Sequence, residues 1–286
     1  MSDLYKKLIN IRKQKNVVWE TIELDYVLSW ILAAISEHNL LRNNLAFKGG
    51  TALKKCYFGE YRFSEDLDFS EIVPSNDQDL EQAIIDVVNN AKKKLEEFGF
   101  FSFEVKRYVE KNPHPFNQIA FMIKAQLPWH RQPVCNIKLE ISRDESIYFK
   151  PGFCKLLHEY GEPFDYQILT YTLEEIITEK FRGILQNQAQ LLRKGWVRSR
   201  VRDFYDLWKI FSEHRSKLQT SKLKEAFLVK CKHKQIDFIT PEQFFNDEYL
   251  TYIQKDWNEF LTRLTPNIPG FNEVIAQLKR HAYEIF

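Results

Sequence analysis

The chain has 286 residues, 44% of them hydrophobic and 15% aromatic. That is enough for one large domain or two ordinary ones with real cores, and it excludes a disordered chain. The 41 basic residues balance 39 acidic ones to leave +2, which neither requires nor forbids a nucleic-acid partner, because a local basic face does not register in the total.

Residues 17–39 carry Val18, Ile22, Leu24, Val27, Trp30, Ile31 and Ala34 at helical spacing and predict a buried helix. Its apolar run, "YVLSWILAAI", is too short to span a bilayer, and no other segment reaches the ~18 residues a span needs. The charged start, "MSDLYKKLINIRKQKN", has no signal-peptide run. Next, "LAFKGG" reads as a short buried strand ending at two glycines, and Thr51 opens a helix, "TALKKCYF". "DLDFS" reads as a strand. The segment from Pro74 to Phe100 reads as a helix capped by Asn76 or Asp77 and stopped by Gly99. Three strands are expected in "FFSFEVKRYV", "QIAFMIKAQL" and "PVCNIKLEIS". Pro151, Gly152, Gly161 and Pro163 break up the mixed segment that follows, where the sheet is expected to end. From Thr172 onward the pattern is helical. Cys56, Cys135, Cys154 and Cys231 form no CxxC pair and sit at no zinc spacing, which fits reduced thiols in a cytoplasmic protein.

A strand that ends in Gly-Gly and turns into a helix offers backbone N–H groups to an anion, although a plain tight turn uses the same residues. Asp66 and Asp68, at i and i+2, share one strand face, with Leu67 and Phe69 behind. Paired carboxylates repel, and a hard cation such as Mg²⁺ relieves the repulsion while also taking phosphate oxygens. Within "NIKLEIS", Ile137, Leu139 and Ile141 take one face while Lys138 and Glu140 take the other. Glu140 can therefore serve as a third metal carboxylate or as a general base on an attacking hydroxyl. Farther on, Lys180 and Arg182 stand early in a helix. Arg200, Asp203 and Asp206 follow at i, i+3 and i+6, beside an apolar stripe of Val201, Phe204, Leu207 and Trp208. A solvated, ion-paired helix face has the same pattern.

In order, "KGGTALKKCY", "YRFSEDLDF", "KLEIS", "EK…RGILQ" and "RVRDFYDLW" resemble the AbiEii/AbiGii toxin family, a branch of the nucleotidyltransferases related to DNA polymerase β, over roughly residues 40–210. The resemblance implies an α+β fold. An N-terminal nucleotidyltransferase mixed sheet flanked by helices (residues 1–165) would be followed by a largely helical C-terminal domain (residues 166–286). It implies that Lys48, Gly49, Gly50 and Thr51 hold the triphosphate of an NTP. Asp66, Asp68 and Glu140 would hold two Mg²⁺ ions, with Mn²⁺ as the substitute. Lys180 matches the branch's lysine motif, and Arg200, Arg202, Asp203 and Asp206 match its R-x-K-D-x-x-D motif, with arginine in the lysine position. In the catalytic set, Lys180 would neutralise triphosphate charge and Asp203 would orient Lys180 or contact the base or ribose. Arg200, Asp206, Arg62 and Ser64 would join the nucleotide site. The arginine that often follows the lysine motif is absent; "QNQ" stands there, with Asn187, Arg193 or Arg198 as substitutes.

The resemblance further implies a toxin of a toxin–antitoxin or phage-defence system with a cognate antitoxin encoded nearby. Its NMP, from GTP or from CTP/UTP, would go to an acceptor hydroxyl, expected at a tRNA 3′ end. Phosphate contacts to RNA are expected from Arg193, Lys194, Arg198 and Arg202, with Trp196 stacking on a base, or from the basic segment Lys222 to Lys234. The alternatives are a nucleotidyltransferase with a small antibiotic-type acceptor and a catalytically silent nucleotide- or partner-binding module. Paired, mutually repelling carboxylates argue against the latter.

Overall fold

The structure is a computed structural model, and it describes residues 2–109 and 118–286. Helix α1 (Asp3–Lys15) is capped by the Ser2 hydroxyl. Helix α2 (Trp19–Glu37) is buried almost all round, as a helix apolar on every side must be. A single turn, α3 (Leu41–Asn44), leads into strand β1 (Leu45–Lys48). The chain then turns at the glycines into α4 (Gly49–Ala52), which continues as a π-helical turn over Leu53–Tyr57. The helix therefore opens at Gly49, two residues before the expected Thr51. Strand β2 (Leu67–Glu71) and helix α5 (Asp77–Leu95) follow. The Asn76 side chain accepts from the Asp79 N–H to cap α5, and Gly99 ends the segment with φ of 137°.

Strands β3 (Ser102–Tyr108), β4 (Gln118–Gln126) and β5 (Cys135–Ser142) lie where alternation placed them. Two four-residue strands, β6 (Gly152–Lys155) and β7 (Gln167–Thr170), occupy the segment that reads as mixed. They are too short to show a period. The mixed sheet runs β3-β4-β5-β2-β1-β7-β6. β2 pairs in parallel with β5, and β1 with β7; the other pairs are antiparallel. One face buries Ile119, Phe121, Ile123, Ile137, Leu139 and Phe69 in a single apolar cluster with Leu28 and Ile31 of α2 and Leu80, Ile84 and Val87 of α5. The alternate residues form the opposite face, which carries Asp68 and Glu140.

The described residues fall into two compact units. One comprises the chain up to Asp144 together with Pro151–Thr170, and the other Glu145–Lys150 with Tyr171–Phe286. The second unit is helical: α6 (Leu173–Lys194, capped by Thr172), α7 (Val201–His214), α8 (Leu223–His233), α9 (Asp247–Thr262) and α10 (Phe271–Ile285). Its core includes an aromatic cluster in which Phe181 stands 4.9 Å from Phe244, and Phe227 4.8 Å from Phe286.

Candidate active site

In the sheet unit the two glycines are required by their neighbours. Gly49 has φ of 77°, and a Cβ there would meet the Asp68 carboxylate oxygen at 2.5 Å. A Cβ on Gly50 would run into the Arg62 guanidinium and lie 3.1 Å from the Ser64 hydroxyl. The backbone of the turn thus lies against a carboxylate on one side and a cation and hydroxyl on the other. Arg62 is only 2% exposed, and one of its N–H groups donates to the Phe63 carbonyl at 3.1 Å. Lys48 and Ser64 are buried as well. Thr51, expected at the phosphates, is buried, and its hydroxyl donates to the Asp66 carbonyl at 2.5 Å. It ties the helical turn to the entry of β2.

The strand registers set the carboxylates. Antiparallel pairing puts Lys48 opposite Asp68, and parallel pairing puts Asp68 opposite Glu140. Cross-strand partners share a face at the ~4.8 Å strand spacing, so the two carboxylates are lateral neighbours. Asp66 stands one residue ahead of β2. Glu140 Oε1 accepts from Lys138 Nζ at 2.6 Å and from Gln118 Nε2 at 2.6 Å. Among the described residues no three His, Cys, Asp or Glu side chains gather closely enough to hold a metal ion. The donor chemistry still suits one, since hard carboxylate oxygens on a strand pair are what Mg²⁺ takes alongside phosphate oxygens.

In the helical unit Lys180 is clamped. Its ammonium lies 2.8 Å from Asp203 and 2.7 Å from Asp206. Arg200 completes the group, donating to Asp203 at 3.1 Å and lying across Gly183 of α6. Burial alone would raise the Asp203 carboxyl, but the charges of Lys180 and Arg200 outweigh it and hold the group below the ordinary carboxylate range. Asp206, which the resemblance assigns to the nucleotide site, is fully buried against Lys180. Asn187 is also buried: it donates to the Arg198 carbonyl at 3.1 Å and accepts from the Tyr249 hydroxyl at 2.9 Å. It ties the α6–α7 connection to Tyr249 of α9.

The family model for "Nucleotidyl transferase AbiEii toxin, Type IV TA system" matches residues 30–277. The chain belongs to the AbiEii nucleotidyltransferase toxin family. The MenT4 nucleotidyltransferase toxin of Mycobacterium tuberculosis has a similar fold, with a TM-score of 0.59 at 17% identity, over 94% of this chain and 83% of that one. No curated protein matches. This AbiEii-family chain is thus a nucleotidyltransferase toxin of a type IV toxin–antitoxin system, a class that implies an NTP substrate and a cognate antitoxin. No described helix is long and apolar enough to cross a membrane.

Two features of this AbiEii-family site escape sequence inspection. The first is a buried network behind the glycine turn: Lys55 donates to Asp25 at 2.6 Å and to Ser29 at 2.9 Å, and the Tyr160 hydroxyl donates to Asp25 at 2.7 Å. Burial opposes ionisation of Asp25, but Lys55, Lys54 and these hydrogen bonds prevail and lower its pKa. Asp25 sits in an apolar helical run with nothing local to single it out. The second is the pair of partners on Glu140, since Gln118 reaches it only through strand pairing.

The basic segments diverge. Arg193, Lys194, Arg198 and Trp196 are exposed, Trp196 at 69%, and Arg202 is half-buried. The segment Lys222 to Lys234 is no continuous basic face. Lys230 is buried against Glu175 at 2.5 Å and the Ser146 carbonyl at 2.7 Å, and Lys234 is buried too.

Proposed function

We propose that this toxin moves a nucleoside monophosphate from an NTP to an acceptor hydroxyl at an RNA 3′ end, expected to be that of a tRNA. The acceptor oxygen bonds to the α-phosphorus and the bond from that phosphorus to the bridging oxygen breaks. Pyrophosphate leaves, and Glu140 takes the hydroxyl proton. The observation that carries the reading is the register row Lys48–Asp68–Glu140 with Asp68 packed against Gly49. It sets a carboxylate pair directly beside a glycine turn. Backbone N–H groups at Gly49 and Gly50 hold terminal phosphates, and Arg62 and Ser64 support the turn from behind. Asp66, Asp68 and Glu140 are the residues that would hold two Mg²⁺ ions, which when bound neutralise the charge on the transferring phosphate. Within the helical unit, Lys180, held by Asp203 and Asp206 with Arg200 beside it, has the chemistry of a cation for triphosphate charge. Arg193, Lys194, Trp196, Arg198 and Arg202 supply RNA backbone and stacking contacts.

Incubation with each α-labelled NTP, Mg²⁺ and total cellular RNA tests this directly. Label is expected in small RNA, and it should be lost, by at least ~10²-fold, in Asp66→Ala and Asp68→Ala proteins. Undiminished toxicity of those variants in cells would remove the catalytic reading.

A further inference from the structure

About 20 Å of strand separates Ala120, the partner of Glu140, from Gln126 at the end of β4. Beyond Gln126 the β4–β5 loop meets the starts of α1 and α2 around an open cavity of about 480 Å³. Ser2, Tyr5, Trp19, Pro128, Trp129 and His130 line it, and all six belong to the sheet unit. The Tyr5 ring stands edge-on to both indoles, 5.4 Å from Trp19 and 5.0 Å from Trp129, and the indoles are 6.0 Å apart. The three half-buried rings pack on one another and form a continuous aromatic wall on one side of the cavity.

Glu23 lies behind that wall. It follows Trp19 by one turn of α2, so the two side chains project to the same side, and it is 1% exposed. The Trp129 indole N–H donates to Glu23 Oε1 at 2.5 Å, and His130 Nε2 meets the same oxygen at 2.7 Å. The loop itself is pinned, because the His130 N–H donates to the Leu127 carbonyl at 3.0 Å and the Gln126 side chain to the His130 carbonyl at 2.8 Å. The wall is therefore fixed before any ligand arrives. Among the described residues, Glu23 Oε2 has no hydrogen-bond partner, and no lysine or arginine pairs with this carboxylate.

Ring faces carry the negative end of the aromatic quadrupole, and the carboxylate behind them has the same sign. Phosphates and carboxylates are repelled by such a wall. A bare metal ion finds no accessible carboxylate oxygen in it. A positive charge spread over methyl groups meets both conditions: it rests on the ring faces and feels Glu23 through a medium of low dielectric.

We propose that this cavity binds a small organic cation of the quaternary ammonium class. Its volume falls in the ~300–1,000 Å³ range of small-molecule sites, which favours a free ligand over the single side chain of a partner protein. The site shares no residue with the Asp68–Glu140 row, so it is an addition to the transferase reading and does not depend on it.

Choline and its neutral isostere, in which a quaternary carbon replaces the nitrogen, are the probes. The two have the same shape and each gives a single methyl proton signal, so saturation-transfer NMR on the full chain reads both affinities in the same way. Choline is expected to bind saturably and at least about tenfold tighter than the isostere, the factor that two exposed ring contacts supply. Tyr5→Leu and Trp129→Phe should each weaken choline about two- to fivefold. Glu23→Gln keeps an acceptor for the indole; it should weaken choline about threefold or more and leave the neutral isostere unchanged. Melting temperatures show which variants keep the fold, and either Tyr5→Leu or Glu23→Gln alone is sufficient for the comparison. Equal affinities for choline and the isostere, choline binding that does not saturate, or choline affinity unchanged in Tyr5→Leu and Glu23→Gln would each overturn the proposal.

Discussion

Gly50 shows how far a single side chain is constrained here. Its missing Cβ is what lets the buried Arg62 guanidinium and the Ser64 hydroxyl close on the turn. Arg62 is held by the Phe63 carbonyl and has little room to yield. Gly50→Ala is therefore expected to destabilise by about 1–3 kcal/mol through overpacking and to lower transfer at least tenfold by displacing the turn. Gly59→Ala, with nothing within 4 Å of its Cβ, is the matched control and should change neither. Thermal unfolding and initial rates on the two variants make the comparison. The glycine pair was plain in the sequence, but the reason for it was not. Gly-Gly suits both a phosphate turn and a close-packed turn, and only the placement of Asp68 and Arg62 reveals that the close packing is present.

At the level of secondary structure, the glycine turn depends on what lies behind it. The π-helical turn Leu53–Tyr57 brings Lys55 onto Asp25 of α2, and both side chains are almost fully buried. Asp25→Asn would leave an ammonium buried without its counter-charge, at a cost of about 3–5 kcal/mol. The double change Asp25→Leu with Lys55→Met is expected to cost less than the single one, because it removes both charges from the interior. Urea unfolding of the two variants reads the difference, and a double variant no better than Asp25→Asn would contradict it. Long elements of this fold were legible: α2, α5, α6 and the alternation of β3, β4 and β5 all announce their period. β6 and β7 were not, since four residues carry no period and their pairing partners lie elsewhere in the chain.

Taken whole, the protein should respond to acid in two steps. His158 is buried, stacked 4.2 Å from Phe164 and 2.9 Å from the Glu162 carboxylate. Burial lowers its pKa below the ordinary 6.5; Glu162 and Asp25 pull it up, and Lys55 pushes it further down. The unfolded chain therefore takes a proton here before the folded one does. Stability is retained above about pH 6.5 and falls as pH drops, by up to about 1.4 kcal/mol per unit within the window. His158→Gln should flatten the melting temperature between pH 7.5 and 5.5. Asp203 in the helical unit behaves in the opposite chemical sense. Its lowered pKa stabilises above the ordinary carboxylate value of 3.8, and that contribution is lost only as pH falls through the folded value. The His158 contribution is thus expected to be lost at a higher pH than the Asp203 contribution, and a melting temperature unchanged between pH 7.5 and 5.5 in the unsubstituted protein would contradict that order.

Residue types and local periods were enough to establish a mixed sheet followed by helices, the Gly-Gly turn, the shared face of Lys138 and Glu140, and the family motif order. These are properties of neighbours a few positions apart, and alternation or helical spacing exposes them directly. Folding alone decided that Asp68 lies beside Glu140, that Glu140 is tied to Lys138 and Gln118, and that Lys180 is gripped by both Asp203 and Asp206. Strand pairing and helix packing join residues tens of positions apart, and a one-residue slip would turn each of these side chains to the other face. The register is set by the burial of the opposite face, which no local stretch of sequence encodes.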